Sequence, residues 1–254
     1  MIEFALATVL TFTVITTVWA LHVAPAIAEL GSPRGELSVA ALVVAIVLFS
    51  LVLSPWGRRS GAHMNPAVTL ALWLMRAFPG RDVAGYVIAQ LAGSIVGTGL
   101  GRLVWGRTSG LPPVNYGVAL PSPAWNWSEV ALAEASGVAV IVLVVGFLLS
   151  MPSGRSRGMV PYAVSLLVAA NIVVLGPLSG GSSNPARQFG PALWSGQTAD
   201  LAVYLIAPMI GGAVGAVVHR AIADRRLHTH KLCGSAGPSA LDASSGPVPI
   251  KEAA

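Results

Sequence analysis

Charge is what this sequence has least of. Only 10% of the 254 residues are charged, where a soluble domain carries about a quarter. A water-exposed globular surface is therefore excluded, and the chain reads as an integral membrane protein. Cysteine is nearly absent too. The single Cys233 rules out a disulfide framework within the chain and a cysteine-rich metal site. Aromatic residues make up 7%, and no basic stripe with interleaved aromatics occurs, so a nucleic-acid partner is not expected. The opening Met1-Ile2-Glu3-Phe4 lacks the basic segment of a signal peptide, so the first apolar run reads as a retained transmembrane helix. What is there instead is apolar: 54% hydrophobic residues and a mean hydropathy of +0.73.

Apolar runs of membrane length fall at 3–23, 37–56, 83–104, 129–150, 160–177 and 199–222. Two further apolar segments, 65–76 and 184–195, are too short to span. At about 1.5 Å rise per residue each reaches about 15–18 Å, so two meeting end to end would cross a hydrocarbon core of about 30 Å. Lys and Arg set the expected orientation. Arg58, Arg59, Arg76, Arg81, Arg155, Arg157, Arg220, Arg225, Arg226 and Lys231 fall on one side, and only Arg34, Arg102 and Arg107 on the other. The positive-inside rule puts both termini in the cytoplasm. The net charge of +5 reflects this topology. The loop 105–128, with four prolines, is expected to be an ordered extracellular crossing or lid. The Ser-, Gly-, Ala- and Pro-rich stretch 223–254 is expected to be a disordered tail following a channel domain over 1–222.

The most telling pattern is a duplication. Ser60-Gly61-Ala62-His63-Met64-Asn65-Pro66-Ala67 and Ser179-Gly180-Gly181-Ser182-Ser183-Asn184-Pro185-Ala186 share Ser-Gly-x-x-x-Asn-Pro-Ala, 119 residues apart. Asn caps a helix and Pro fits its first turn. Each copy therefore starts a half-helix at membrane depth, and an odd number of spans per half makes the repeats, about 1–104 and 129–222, inverted. Each asparagine amide would point an N–H into a pathway where a half-helix N-terminus adds about half a positive charge. Neutral hydroxyl compounds accept such bonds and cations are repelled.

Arg187, one turn after Asn184, is expected to line the same pathway, because a charge at that depth needs carbonyls or a watery cavity. Glu3 and Glu134 hold matched positions in the two halves. They are either proton-relay carboxylates or, as favoured here, acceptors for the loop backbone before each half-helix. His63 is either a vestibule residue or a loop contact. Gly93, Gly97 and Gly101, and Gly211 and Gly215, form small-residue ladders for close helix packing.

The paired Asn-Pro-Ala boxes, the Ser60–His63 run and Arg187 closely resemble the major intrinsic protein family, the aquaporins and aquaglyceroporins, over about residues 1–222. The resemblance implies an all-α membrane protein of six tilted helices and two re-entrant half-helices. It also implies a pore in every protomer of a homotetramer, and passive conduction of water or small neutral solutes with no cofactor or metal.

Family selectivity is set at four positions near the outer mouth. Ungapped counting from the boxes puts them on Ala45, Ile172, Gly181 and Arg187. Water-selective members have a bulky aromatic and a histidine at two of these sites, so this chain resembles a wider, less polar filter. The set looks like that of plant nodulin-type intrinsic proteins, associated with boric acid, arsenous acid and glycerol-like solutes. Several residues depart from the glycerol-facilitator pattern: Gln188 stands where those channels have Asp, and Ala192 where they have a basic residue. In the sixth span Tyr204 looks water-channel-like and Leu205 glycerol-channel-like. Gly181 offers no thiol for mercurials. The expectation is a mixed channel in the plasma membrane, with a strict water channel and, more remotely, a coupled secondary transporter as alternatives. Without a nucleophile–base pair or metal-ligand cluster at membrane depth, an enzyme is not expected.

Overall fold

The computed structural model describes residues 1–23, 32–223 and 226–235. Arg225 and the tail beyond 235 lie outside the described residues. Among those described, regular structure is entirely helical. Six long helices match the apolar runs: α1 (Ile2–Val23), α2 (Pro33–Leu53), α5 (Gly80–Trp105), α6 (Trp127–Ser150), α8 (Val160–Ser179) and α10 (Leu201–Ile222). Two half-helices match the short segments: α4 (Pro66–Leu74) and α9 (Pro185–Ser195). Short connectors α3 (Pro55–Ser60) and α7 (Gly154–Arg157) complete the set.

Local chemistry sets the helix starts. Ser32 caps α2, its Oγ accepting from Gly35 N at 3.1 Å, with Pro33 in the first turn. Asn126 and Glu129 form a capping box at α6. Ser54 ends α2 and caps α3, and Pro55 fixes the break between them.

The repeats pair element by element: α1 with α6, α2 with α8, α4 with α9, and α5 with α10. Within each repeat the first and last long helices pack most closely, α1 on α5 and α6 on α10. The glycine ladders explain how. A Cβ on Gly93 or Gly97 would lie 2.4 Å from Phe4 O or 2.5 Å from Thr8 O, and one on Gly211 would lie 2.0 Å from Ala135 O. Backbone therefore touches backbone, the close approach that bilayer packing favours when no water drives apolar faces together. Each half-helix also packs against the other repeat, α4 on α10 and α9 on α5. There Gly212 meets Ala67 O and Gly190 meets Ser94 O.

Exposed apolar side chains such as Leu42, Ile46, Ile88, Leu166, Ile210 and Val217 cover the outside of the helices, as expected of surface facing lipid. The loop after α5 is ordered, with two short 3₁₀ turns at 106–110 and 115–117. Residues 226–235 differ from the composition-based expectation of disorder. They pack back against the arginine-rich face, burying Thr229, Leu232 and Cys233. Composition misses this because two apolar side chains and a few backbone hydrogen bonds suffice to dock a short segment.

Candidate functional site

The two half-helix starts meet at mid-molecule and are locked to each other. Asn65 Oδ1 accepts from Ala67 N at 2.9 Å, and Asn184 Oδ1 from Ala186 N at 2.9 Å and Arg187 N at 3.3 Å. Each amide then reaches across. Asn65 Nδ2 donates to Ser183 O at 2.9 Å, and Asn184 Nδ2 to Met64 O at 2.9 Å. Because Nδ2 carries two protons, one is committed to the opposite loop and the second is left for the cavity that both asparagines line. The backbone serves this geometry: Met64 and Ser183 both have positive φ, 49° and 48°, in the loops that deliver their carbonyls.

Two buried carboxylates hold the loops. Glu3 accepts from Ser60 Oγ (2.7 Å), His63 N (3.2 Å), Met64 N (2.8 Å) and Gln90 Nε2 (2.8 Å). Glu134 accepts from Ser179 Oγ (2.7 Å), Ser182 N (3.0 Å) and Ser183 N. Both thus accept from loop backbone. Two tyrosines repeat the symmetry from outside: Tyr86 Oη donates to Ser60 O at 2.7 Å and Tyr204 Oη to Ser179 O. Gln90 and the pairing of Tyr86 with Tyr204 escaped sequence reading. The near-equal spacing of the tyrosines from Asn65 and Asn184 was the available signal.

One cavity, about 150 Å³ in volume, runs past both asparagines. On the far side from the arginine-rich face it is bounded by Ile172, Gly181 and Arg187, which the structure brings to one cavity. Gly181 has a φ of +58°, and a Cβ there would lie 2.8 Å from Asn171 O. No side chain can therefore project from that position without strain and collision. The Arg187 guanidinium donates to Gln188 Oε1 at 3.3 Å. Gln188 is itself buried, and its amide brackets Ala119, accepting from its N at 3.0 Å and donating to its O at 2.9 Å. The residue that departs from the glycerol-facilitator pattern thus ties the loop after α5 to Arg187.

Ala45 is a correction. From α2 the cavity is lined by Leu37, Ala40, Val44 and Leu48, and not by Ala45. An α-helix turns about 100° per residue, so a stripe spaced by three or four residues turns Ala45 away. Ungapped counting along the chain cannot fix the rotation of α2, which its packing against α8 and α1 decides. Sequence reading also missed the apolar wall from Leu10 and Val14 of α1, Ile141 of α6 and Val164 and Val168 of α8.

At the other end His63 is both a lining residue and a loop contact. Its Nδ1 lies 3.2 Å from Thr69 Oγ1, its Nε2 lies 3.4 Å from His230 Nδ1, and its ring packs on Phe78 and Tyr86.

Six membrane-length helices in an inverted repeat, enclosing a cavity at the junction of two capped half-helices, define a membrane channel. The chain belongs to the major intrinsic protein family, whose model matches residues 1–219. Members of that family are passive channels rather than enzymes. The chain is 31% identical over 183 residues to "Probable aquaporin NIP7-1" of Arabidopsis thaliana, covering 72% of this chain and 62% of that protein. It is 33% identical over 188 residues to "Probable aquaporin AqpM" of Archaeoglobus fulgidus, covering 72% and 74%. It is 32% identical over 197 residues to "Propanediol uptake facilitator PduF" of Citrobacter freundii, covering 66% and 73%. Its fold is similar to the X-ray structure of the aquaglyceroporin from Plasmodium falciparum, with a TM-score of 0.73 at 19% identity, covering 88% of this chain and 95% of that one. The aligned region thus spans about three fifths of the Arabidopsis relative and about three quarters of the archaeal one.

Proposed function

We propose that the protein is a passive channel of the plasma membrane for small uncharged solutes, namely glycerol-like polyols, urea, and boric or arsenous acid, together with water. The observation that carries this reading is the composition of the filter. The cavity that Arg187 lines is also lined by Ile172, Gly181 and the α2 residues Ala40 and Val44, none of them aromatic or histidine. An aperture with one cationic donor and apolar walls admits a neutral hydroxylated solute wider than water and repels cations. Asn65 and Asn184 add two N–H donors where two half-helix N-termini converge, which opposes proton and cation passage further. The arginine-rich face is the cytoplasmic one in this reading. The assembly is a homotetramer with one pore per subunit.

Stopped-flow light scattering on proteoliposomes, with water, glycerol, urea and boric acid in turn, tests the reading. Solute permeability well above protein-free vesicles is the expected result. High water flux with solute flux at background would leave a strict water channel. Loss of uptake on adding a protonophore would replace the channel with a coupled transporter. Mass measurement by light scattering in detergent tests the tetramer.

A further inference from the structure

The segment after α10 does something that a channel of this architecture does not require. Residues 226–235 run beneath the mouth of the pore on the arginine-rich face and are fastened at three points. His228 N donates to Leu149 O at 3.1 Å, Leu232 N donates to Gly61 O at 3.0 Å, and Gly234 lies against α7. Gly234 has a φ of +72°, and a Cβ there would lie 2.1 Å from Arg157 O, so the close approach needs glycine. Between these points Leu232 is 1% exposed and its side chain lines the pore cavity itself, alongside His63, Met64, Asn65, Val68 and Ile141. It also lines a smaller apolar pocket with Ala71, Leu72, Met75 and Val145. Beside it the His230 ring stands edge-on to His63, with centroids 5.5 Å apart, and against Phe78 at 5.3 Å. A Cβ on Gly61, the residue whose carbonyl takes the Leu232 hydrogen bond, would lie 2.9 Å from His230 Nδ1. The segment is therefore fitted to the mouth.

We propose that residues 226–235 are a built-in plug for the arginine-rich mouth of the pore, with Leu232 as the stopper and the His63–His230 pair as its catch. An apolar side chain seated below Asn65 takes the place of the water or hydroxyl groups that a moving solute would exchange hydrogen bonds with. Passage requires the segment to leave. Release uncovers Leu232 and Cys233, and it separates the two imidazoles.

The catch has a sense with respect to acid. Docked His230 is held down to about 4, by burial first and then by His63 and Lys231, against a smaller opposing effect of Glu3. Released, it returns toward the ordinary 6.5. The other titratable groups at the seat are Tyr86, packed on the His63 ring, and Arg157, whose guanidinium is turned to the Met151 and Pro152 carbonyls. A group whose value is lowered in the docked form favours docking above its free value and loses that hold as pH falls toward the docked one. Acidification from pH 7.5 to 5 thus shifts the balance toward release by about tenfold or more.

The proposal rests on the channel reading, and two independent readouts on the full chain in proteoliposomes separate the two. The first is flux. Leu232→Ala, and separately termination after Ala223, should raise water and glycerol permeability severalfold at pH 7.5. The intact protein should conduct better at pH 5 than at pH 7.5, and His230→Gln should abolish that difference. The second is maleimide labelling of Cys233, the one cysteine of the chain, normalised to a cysteine peptide at each pH. It should be slow at pH 7.5 and should accelerate at pH 5 and in Leu232→Ala. Unchanged flux in both variants, or Cys233 reacting as fast as the peptide at pH 7.5, would overturn the plug. Absence of flux in every variant with Cys233 still protected would count against the channel reading instead.

Discussion

At the scale of single residues the site is a set of hydrogen bonds that tie the two halves together. Each asparagine both caps its own half-helix and holds the other's loop, so Asn184→Ala removes two functions at once. It uncaps α9 and leaves the Met64 carbonyl without its donor. The expected cost is about 1–3 kcal/mol, read as a lower melting temperature in detergent together with loss of solute flux. Glu134→Gln is subtler. It replaces one acceptor oxygen with an NH2 facing a backbone N–H that can only donate, Ser182 N at one oxygen or Ser183 N at the other, and should cost about as much. Retention of wild-type stability by that variant would show that the carboxylate is not holding the loop. The filter can be tested against its own correction. Val44→Phe with Ile172→His should cut glycerol and boric acid flux more than water flux. Ala45→Phe should leave the ratio unchanged, because that side chain does not face the cavity.

At the scale of elements the motif was legible and the rotation of helices was not. Asn-Pro twice, with apolar stretches too short to span, gave α4 and α9 to within two residues at their far ends, because capping chemistry is local. Nine and eleven residues at about 1.5 Å each sum to about 30 Å, the thickness of the hydrocarbon core. The glycine ladders were legible as packing surfaces, but not which helix each would meet. Gly211 proves to be the tightest, with a Cβ 2.0 Å from Ala135 O. Gly211→Leu should force α6 and α10 apart, and a poor yield of folded protein on size-exclusion chromatography would show it. Gly85, with nothing near its Cβ position, should accept Ala without loss and serves as the control.

At the scale of the whole molecule the inverted repeat is visible in paired bonds. Ser60, Tyr86 and Glu3 have counterparts in Ser179, Tyr204 and Glu134, and each half-helix leans on the other repeat through glycine. The halves are therefore interdependent, and either repeat expressed alone should fail to insert as a stable unit, measured by protease resistance in vesicles. The repeats part company where function is specified. Arg187 in the second box has Val68 as its counterpart in the first, so the two halves differ in charge at this position. His63 stands where the second loop has Ser182, and it is at that end that the tail folds back.

The sequence by itself determined the membrane class, the six spans, the two half-helix starts and the arginine one turn after the second of them, because hydropathy, capping and charge act over a few residues. The tertiary structure decided three things. Val44 and Ala40 face the pore rather than Ala45, since the rotation of α2 depends on its neighbours. Gln188 couples Arg187 to Ala119, a contact across 69 residues. And a stretch that reads as loose tail carries one leucine into the mouth of the pore, because a seat shaped by His63, Gly61 and α7 exists only once the helices have packed.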